Sequence, residues 1–388
     1  MRILLVGEYS RFHNSLKEGL VSLGHQVVII GDNDFKNYPL DISVYAKTCK
    51  EHYWLNKIRQ VIFKLSKIDV AQIEVAYRFF KNRKKLVGFD VVQLINEYPL
   101  QSTVFLEKKM IAYLFKNNKK AFLVSCGDDY ISVKHMLEGH FKYSVLTPCL
   151  ANPKLDHCKY TLRYATKSFK KLHHYVYQNI LAVIPADMDY AIPLKNHPQA
   201  TPLIPHPINT ALNQYSPLHI EDTIHIFHGI NTVNYYKKGN DYFEKALAII
   251  AQKYPNQVTI TTTRSVAYSQ YIQRYNQCHI LLDQVFSYDQ GFNALEAMAK
   301  GKVVFTGAET EFTEHFNLTQ KVCINALPEV DYLVDQLSYL IENPHEIHAI
   351  SQRARAFIEQ EHDCIKVAQK YLTTWEQYPL NPVLNRPA

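Results

Sequence analysis

The sequence predicts an α/β protein made of two doubly wound parallel-sheet domains in tandem. Three observations predict it. Short apolar runs bounded by turn residues recur along the chain, the pattern of strands covered on both faces. Helical patterns alternate with these runs, as βαβ units require. A proline-rich bridge, LKNHPQATPLIPHPINT at 194–210, separates one series from the next. A chain of 388 residues is long for one core and suits two.

In the first series, Arg2 to Gly7 reads as a buried strand, and a polar loop and a helix from Asn14 to Leu23 follow. Gly24 ends that helix, and Gln26 to Ile30 is the next strand, closing a βαβ unit. Further strands are expected at Asp90 to Leu94, Ala121 to Ser125 and Ile180 to Ile184. In the second series the strands are Ile224 to His228, Val258 to Thr262, His279 to Asp283, Val303 to Thr306 and Val322 to Asn325. Helices fall between them at Asp241 to Lys253, Ser269 to Tyr275 and Ala294 to Ala299. The expected domains are 1–195 and 196–365, with a tail at 366–388 packing back on the first domain and its proline-rich end extended. Ligands of open parallel sheets bind beyond the carboxyl ends of the strands, so two such domains face each other across a cleft.

Composition bounds the class. The chain is 47% apolar and 20% charged, ordinary for a globular protein. No apolar run reaches the roughly 18 residues a membrane span needs. The start, MRILLVGEYSRF, reads as a buried strand and not as a signal peptide. Seven cysteines without a C-x-x-C pair argue against a disulfide framework or a zinc site, and so for a cytoplasmic protein. The net charge of +7 is concentrated. Residues 47–85 hold eleven Lys or Arg against three Asp or Glu. There Trp54, Ile58, Val61, Ile62 and Leu65 fall at helical spacing, with Lys57 and Lys64 elsewhere on the wheel. Such a segment fits an anionic membrane surface, making the protein peripheral on the inner membrane face. It fits better still a helix packed on its own domain with a solvated basic face. No zinc-finger or RNP-like pattern accompanies it, so nucleic acid is not expected.

DQGFNALEAMAKGK at 289–302 reads as a loop, a short helix and the start of a strand. A helix start offers unpaired N–H groups and a positive dipole end, a seat for phosphate. Glu296, one turn in, suits a sugar hydroxyl of the same ligand. Asn293 and Glu296, three apart, equally fit a capping box.

Four stretches together resemble retaining glycosyltransferases of family GT4, which have the GT-B fold: two Rossmann-like domains facing a central cleft. They are MRILLVGEYS…LVSLGHQVVII, TPLIPHPINT, IFHGINTVNYYKKGNDYFEKAL and ILLDQVFSYDQGFNALEAMAKGKVVFTG. They follow the family's order over most of the chain, the match being weak between about 40 and 170. The resemblance implies transfer of a sugar from a nucleotide-sugar donor to a glycan or lipid-linked acceptor, with no cofactor and no metal. It implies that Lys238, with Lys237, meets the donor diphosphate. Gly291, Phe292 and Asn293 cap the phosphates or sugar, and Glu296 accepts from the ribose. The loop after Arg264, Val266 to Tyr268, is a candidate for holding the base, and equally fits a structural loop. Two departures stand out. The family's E-x7-E holds Tyr288 at its first position, with Asp289 displaced by one. The family's Arg after the first strand's Gly is missing, leaving His228 or Arg264 to supply charge.

In the first domain, GEYSRFHN places Gly7, His13 and Asn14 where a loop faces the donor. Asp128, just past a strand end in SCGDDY, either orients an acceptor hydroxyl and serves as its base or closes a turn. Asp187 and Asp189 form a D-x-D, a string that holds manganese in another glycosyltransferase fold. Their place before the bridge favours a helix cap instead. His173 and His174 read as packing or solvated residues. An oxidoreductase is disfavoured because GEYSRF stands where G-x-G-x-x-G is needed. A nucleotide-sugar epimerase shares the fold, and a non-catalytic binding relative predicts binding without turnover.

Overall fold

The computed structural model describes residues 1–32, 38–66, 68–155 and 157–379. Among the described residues eleven strands form two sheets, and every pairing in both is parallel. The first contains β1 (Arg2–Val6), β2 (Gln26–Gly31), β3 (Ile42–Ser43), β4 (Val91–Leu94), β5 (Lys120–Ser125) and β6 (Ala182–Pro185) in the order β3-β2-β1-β4-β5-β6. The second contains β7 (Ile224–Ile230), β8 (Val258–Arg264), β9 (Ile280–Leu282), β10 (Val303–Thr306) and β11 (Ile324–Asn325) in the order β11-β10-β9-β7-β8. The two-residue edge strand β3 has no apolar run of its own, which is why periodicity misses it.

Central strands are mostly apolar because both faces are covered, with Gln93 of β4 and His228 of β7 as buried polar exceptions. Ile3 and Leu5 of β1 enter one core, which continues into the second domain, while Leu4 and Val6 enter the core on the opposite face. The chain order reverses direction across each sheet beside its first strand, so the loops after β1, β5, β6, β7 and β9 gather at the carboxyl ends.

After the helix Pro344–Phe357 and a wide turn at 358–362, the last helix, Cys364–Gln377, lies against the first domain. It packs on the helix Phe12–Ser22, Lys120 Nζ donates to the Trp375 carbonyl at 2.8 Å, and the Trp375 ring meets Phe122. Asp363 caps it, its carboxylate accepting from the amides of Ile365 and Lys366 at 3.0 and 3.3 Å. Of the stretch expected to be extended, 377–388, Gln377 still ends the last helix, and residues 380–388 lie outside the described residues.

The cysteine expectation is overturned. Two short helices, Thr147–Ala151 and Cys158–Leu162, bring Cys149 and Cys158 to a Cα separation of 5.8 Å, and a disulfide joins them. A count and a search for C-x-x-C are blind to a pair that a helical turn-back makes adjacent.

Candidate active site in the interdomain cleft

The loop after β1 is shaped by its own backbone. Gly7 has φ +88°, and a Cβ there would lie 2.5 Å from the Ile95 side chain and 2.9 Å from the Pro99 carbonyl oxygen. Ser10 and Arg11 are also left-handed, with φ 51° and 77°. The result turns Tyr9 and Ser10 toward the cleft. His13 and Asn14 go the other way. Buried His13 donates from Nδ1 to the Gly7 carbonyl at 2.6 Å, and burial lowers it to about 3, keeping it neutral. Asn14 donates from its amide and its side chain to Glu8, at 2.8 and 2.6 Å. Both residues hold the loop together and line no part of the cavity, contrary to their expected place at the donor.

From the second domain, Gly239 lets the chain turn close under Val285: its φ is +67° and a Cβ would lie 2.8 Å from Val285 Cβ. The two lysines before it diverge. Lys237 Nζ reaches Asp128 Oδ2 at 3.1 Å, across the cleft, where Thr161 also donates to the same oxygen at 2.6 Å. Asp128 lies below the ordinary carboxylate range: burial pushes it up, but Lys237 and the Thr161 hydroxyl outweigh burial. Lys238 Nζ instead meets Asp283 Oδ1 at 2.8 Å, just past β9, where the Asp283 side chain is 1% exposed. Asn293 Nδ2 donates to the same oxygen at 3.1 Å, and Tyr271 donates to Asn293 Oδ1 at 2.9 Å.

The helix expected in DQGFNALEAMAKGK runs Phe292–Ala299 with Gly291 at its N-cap. Asn293 therefore lies inside the first turn, and no side chain caps the helix, so the Asn293–Glu296 capping box does not form. Gly291 and Phe292 face the cavity, presenting the start of the helix to it. Glu296 is half-buried further along. Its charge is felt by Tyr268, whose phenol is raised first by burial and then by Glu296. Tyr268 opens the helix Tyr268–Gln277, with its ring stacked on Tyr271 at 6.5 Å.

Between these elements lies a cavity of about 350 Å³. Its walls bring together Tyr9, Asp128, Lys237 and Gly291, and its floor is acidic, with Asp187 and Asp189 beyond β6. Asp187 stands at the N-cap of the helix Met188–Leu194, but its side chain makes no cap bond and turns to His206 Nε2 at 3.2 Å. Asp189 accepts from the Ser287 hydroxyl at 2.6 Å and the Tyr288 amide at 3.2 Å. Burial raises both carboxyls well above their ordinary range, and Asp187 raises Asp189 further. Burial lowers His206 to about 4. Three wall residues carry buried polar atoms with no partner among the described residues: Asp187 Oδ1, His206 Nδ1 and Gln290 Oε1. Orphaned groups of this kind are uncommon and call for an explanation.

The two family departures are resolved differently from expectation. Tyr288 is an interdomain anchor: its hydroxyl accepts from the Lys142 amide at 2.8 Å and its ring packs between Phe141 and Tyr143. Asp289 is also turned away from the ligand space, accepting from the amides of Met188 at 3.1 Å and Gln290 at 2.7 Å. Asp289 thus does not replace the missing glutamate. His228 is wholly buried, donates to Asn240 Oδ1 at 2.8 Å and is held neutral by burial. Arg264 pairs with Glu244 and lines a separate groove with His157, Tyr160 and Tyr236. Neither brings positive charge to the cavity.

Asp187, Asp189, His206 and Gln290 are wall residues that sequence reasoning did not assign to a ligand. The D-x-D drew attention only as a metal motif, and His206 sat unremarked in the bridge. Among the described residues, the one group of three ligating side chains close enough to share a cation is Cys149, His157 and Cys158, whose sulfurs are bonded to each other.

Behind the cavity, Glu97 accepts from the Tyr130 amide and faces His173 Nδ1, both at 2.8 Å. Burial raises Glu97 to about 8 and lowers His173 to about 4, so burial favours the uncharged form of each. His173 is thus a packing residue, stacked near Tyr130 and Tyr177. Glu97, Asp187 and Asp189 hold protons in the folded chain that the unfolded chain has already released. Their contribution to stability is full below the unfolded carboxylate pKa and is lost as pH rises through the folded values. The buried histidines act in the opposite sense, but only below their unfolded value of 6.5. Thermal stability is therefore expected to fall between pH 6.5 and about 8. Melting curves across that range test it: Glu97→Gln flattens the slope, and an unchanged slope refutes the assignment.

Residues 234–373 match the sequence model of a family described as Glycosyl transferase-like. No curated protein matches the chain in sequence. Solved structures similar in fold include a sucrose-phosphate synthase from Thermosynechococcus elongatus. It is 13% identical, with 97% of this chain and 98% of that one covered and a TM-score of 0.60. A TarM variant from S. aureus, in complex with Fondaparinux, alpha-GlcNAc-glycerol and UDP, is 12% identical over 96% of this chain and 99% of that one, at 0.58. A UDP-GlcNAc 2-epimerase from Neisseria meningitidis, bound to UDP-GlcNAc, is 11% identical over 97% and 100%, at 0.53. At such identities the likeness establishes the fold, the GT-B arrangement of two parallel-sheet domains about one cleft.

Proposed function

We propose that the chain is a GT4-like glycosyltransferase that moves a sugar from a nucleoside-diphosphate donor to a hydroxyl of a glycan or lipid-linked acceptor, with retention and without a metal. The observation that carries the reading is the meeting, in one cleft, of the Phe292 helix start and Lys237 from the second domain with Asp128 from the first. The family match over residues 234–373 supports the reaction class. The UDP and UDP-GlcNAc bound in two similar structures support the donor class.

As the glycosidic bond breaks, negative charge grows on the leaving diphosphate. Lys237 and the amides at Gly291 to Asn293 stabilise that charge, and Lys238 joins them when it leaves Asp283. Glu296 accepts from the ribose hydroxyls, with Tyr268 beside the base. The sugar lies in the cavity against the side chains of Asp187, His206 and Gln290. Asp128 orients the acceptor hydroxyl, and the leaving phosphate takes its proton. The reading makes the protein a contributor to polysaccharide biosynthesis.

Thermal melts with UDP, GDP, ADP, CMP and NAD, each with and without manganese, test the donor. A ligand that binds only the folded chain stabilises it by about 2.7 kcal/mol at a hundredfold excess over Kd. Stabilisation by one nucleoside diphosphate without manganese is expected. Stabilisation only with manganese, or by NAD alone, overturns the reading. The buried carboxyls and His206 around the floor also favour a second reading, a nucleotide-sugar epimerase, because acid and base groups must then flank the sugar. Deuterium entering the sugar from heavy water, with no acceptor present, selects that reading; its absence, with transfer to an added acceptor, selects the first.

A further inference from the structure

The helix Tyr53–Ser66 contains no buried residue. Trp54, Ile58, Val61 and Leu65 recur at intervals of four, three and four, so they form one stripe along it. Their exposures are 69, 54, 58 and 82%, and Leu55 beside them is also exposed. Four large apolar side chains on one helix face are thus left to water, where monomeric proteins rarely leave so continuous a patch. The helix is nonetheless held in place. Arg59 pairs with Asp69 at 2.6 Å and donates to Asn56, which fixes the polar side inward and leaves the stripe outward. The packing of this face on its own domain, one of two expectations from sequence, is not what the fold does.

Charge decides what covers the stripe. Lys57 and Lys64 run along its edge at helical spacing, in a stretch with eleven basic and three acidic residues over 47–85. A second copy of the chain would bring the same cations to the same face and repel. An anionic surface attracts them, and lysine stems bury their methylenes while their ammonium groups stay with the headgroups. Tyr53 and Trp54 at the start of the helix suit the headgroup boundary, where amphipathic rings settle. At fourteen residues the helix is too short to cross a bilayer, and no helix among the described residues is long and apolar enough to do so.

We propose that the Tyr53–Ser66 helix lies in the surface of a bilayer containing anionic lipid, its Trp54–Leu65 stripe in the acyl boundary and Lys57 and Lys64 on the headgroups. The proposal rests on this helix and not on the chemistry of the cleft. The full chain carries two tryptophans, and Trp375 is wholly buried, so Trp54 reports contact by itself. Titration with vesicles of phosphatidylcholine mixed with phosphatidylglycerol is expected to shift Trp54 emission to the blue and to carry the protein upward in flotation. Phosphatidylcholine alone is expected to do neither, and added salt to weaken both effects. Lys57→Ala and Lys64→Ala each weaken binding about fivefold. Ile58→Ser with Val61→Ser abolishes it while leaving the melting temperature unchanged, since these side chains touch no core. Three results would overturn the proposal: no blue shift with anionic vesicles, undiminished binding of the serine variant, or a dimer that the serine variant dissolves.

Discussion

Replacing Lys237 with Ala is expected to lower kcat/KM for glycosyl transfer by about a hundredfold to a thousandfold. That is the usual cost of removing one fixed donor from a developing negative charge. The side chain stands where the two domains meet, its ammonium 3.1 Å from Asp128. In the ligand-free cleft this ion pair joins the domains. A bound diphosphate competes with Asp128 for the same cation. As Lys237 turns to the phosphates, Asp128 loses its strongest stabilising neighbour and keeps the Thr161 hydroxyl. Burial then dominates and raises its proton affinity, which suits a group that must accept a hydrogen bond from an acceptor hydroxyl. Asp128→Asn is the partner variant. It should bind the nucleoside diphosphate at least as tightly as the native chain, because Lys237 is released, yet transfer more slowly to the acceptor. Calorimetric titration of the nucleotide and steady-state transfer rates, combined in a double-mutant cycle, separate the two effects. Normal turnover in Lys237→Ala would place the phosphates elsewhere. Lys238→Ala is a poorer probe than the sequence suggests. It strands the Asp283 carboxylate, 1% exposed, and so is expected to cost stability together with binding.

Substituting Gly19 with Val is expected to destabilise the protein by about 1–3 kcal/mol, through overpacking. In an exposed helix, glycine is about 1 kcal/mol worse than alanine, so propensity alone predicts that a side chain here helps. The packing reverses that sign. A Cβ at Gly19 would lie 2.1 Å from the Cys364 carbonyl oxygen, 2.6 Å from its carbon and 2.9 Å from Ala368 Cβ. Backbone cannot swing aside as a flexible side chain does, so the final helix must move off the first. That helix is the return crossing from the second domain to the first, and its displacement is also expected to open the cleft and weaken nucleotide binding. Denaturant midpoints of Gly19→Val against Ser22→Ala, an exposed change on the same helix expected to stay within about 0.5 kcal/mol, provide the comparison. Equal midpoints would show that the contact is not held in solution.

The parallel sheets were legible because a strand covered on both faces is largely apolar, and Ile3 to Val6 or Val303 to Phe305 can hardly be read otherwise. Glycines marked the turns, and the bridge marked the change of domain. The apolar stripe at Trp54, Ile58, Val61 and Leu65 was legible as a pattern, since helical spacing is a local property. Whether it met its own domain or water was not, because that depends on what the rest of the chain leaves uncovered.

The site divides the same way. Local signals marked a helix start near Asn293, which the fold puts two residues earlier at Gly291, and a lysine pair before Gly239, of which Lys237 lines the cavity. Which lysine crosses to Asp128 and which is tied to Asp283 follows from where β5 and β9 end in space. Loop residues next to a strand end can point either way: His13 and Asn14 turn inward because Gly7 and Glu8 hold them, and Tyr9 turns outward. Tyr288 in place of a glutamate read as a missing ligand, and the fold makes it an anchor between domains. The orphaned atoms of Asp187, His206 and Gln290 come from three distant segments. Sequence by itself determined the backbone plan, because period and turn chemistry act over a few neighbouring residues. Only the tertiary structure decided the disulfide, the acidic floor and the partner of each charge, because burial and ion pairing are set by residues remote in the chain.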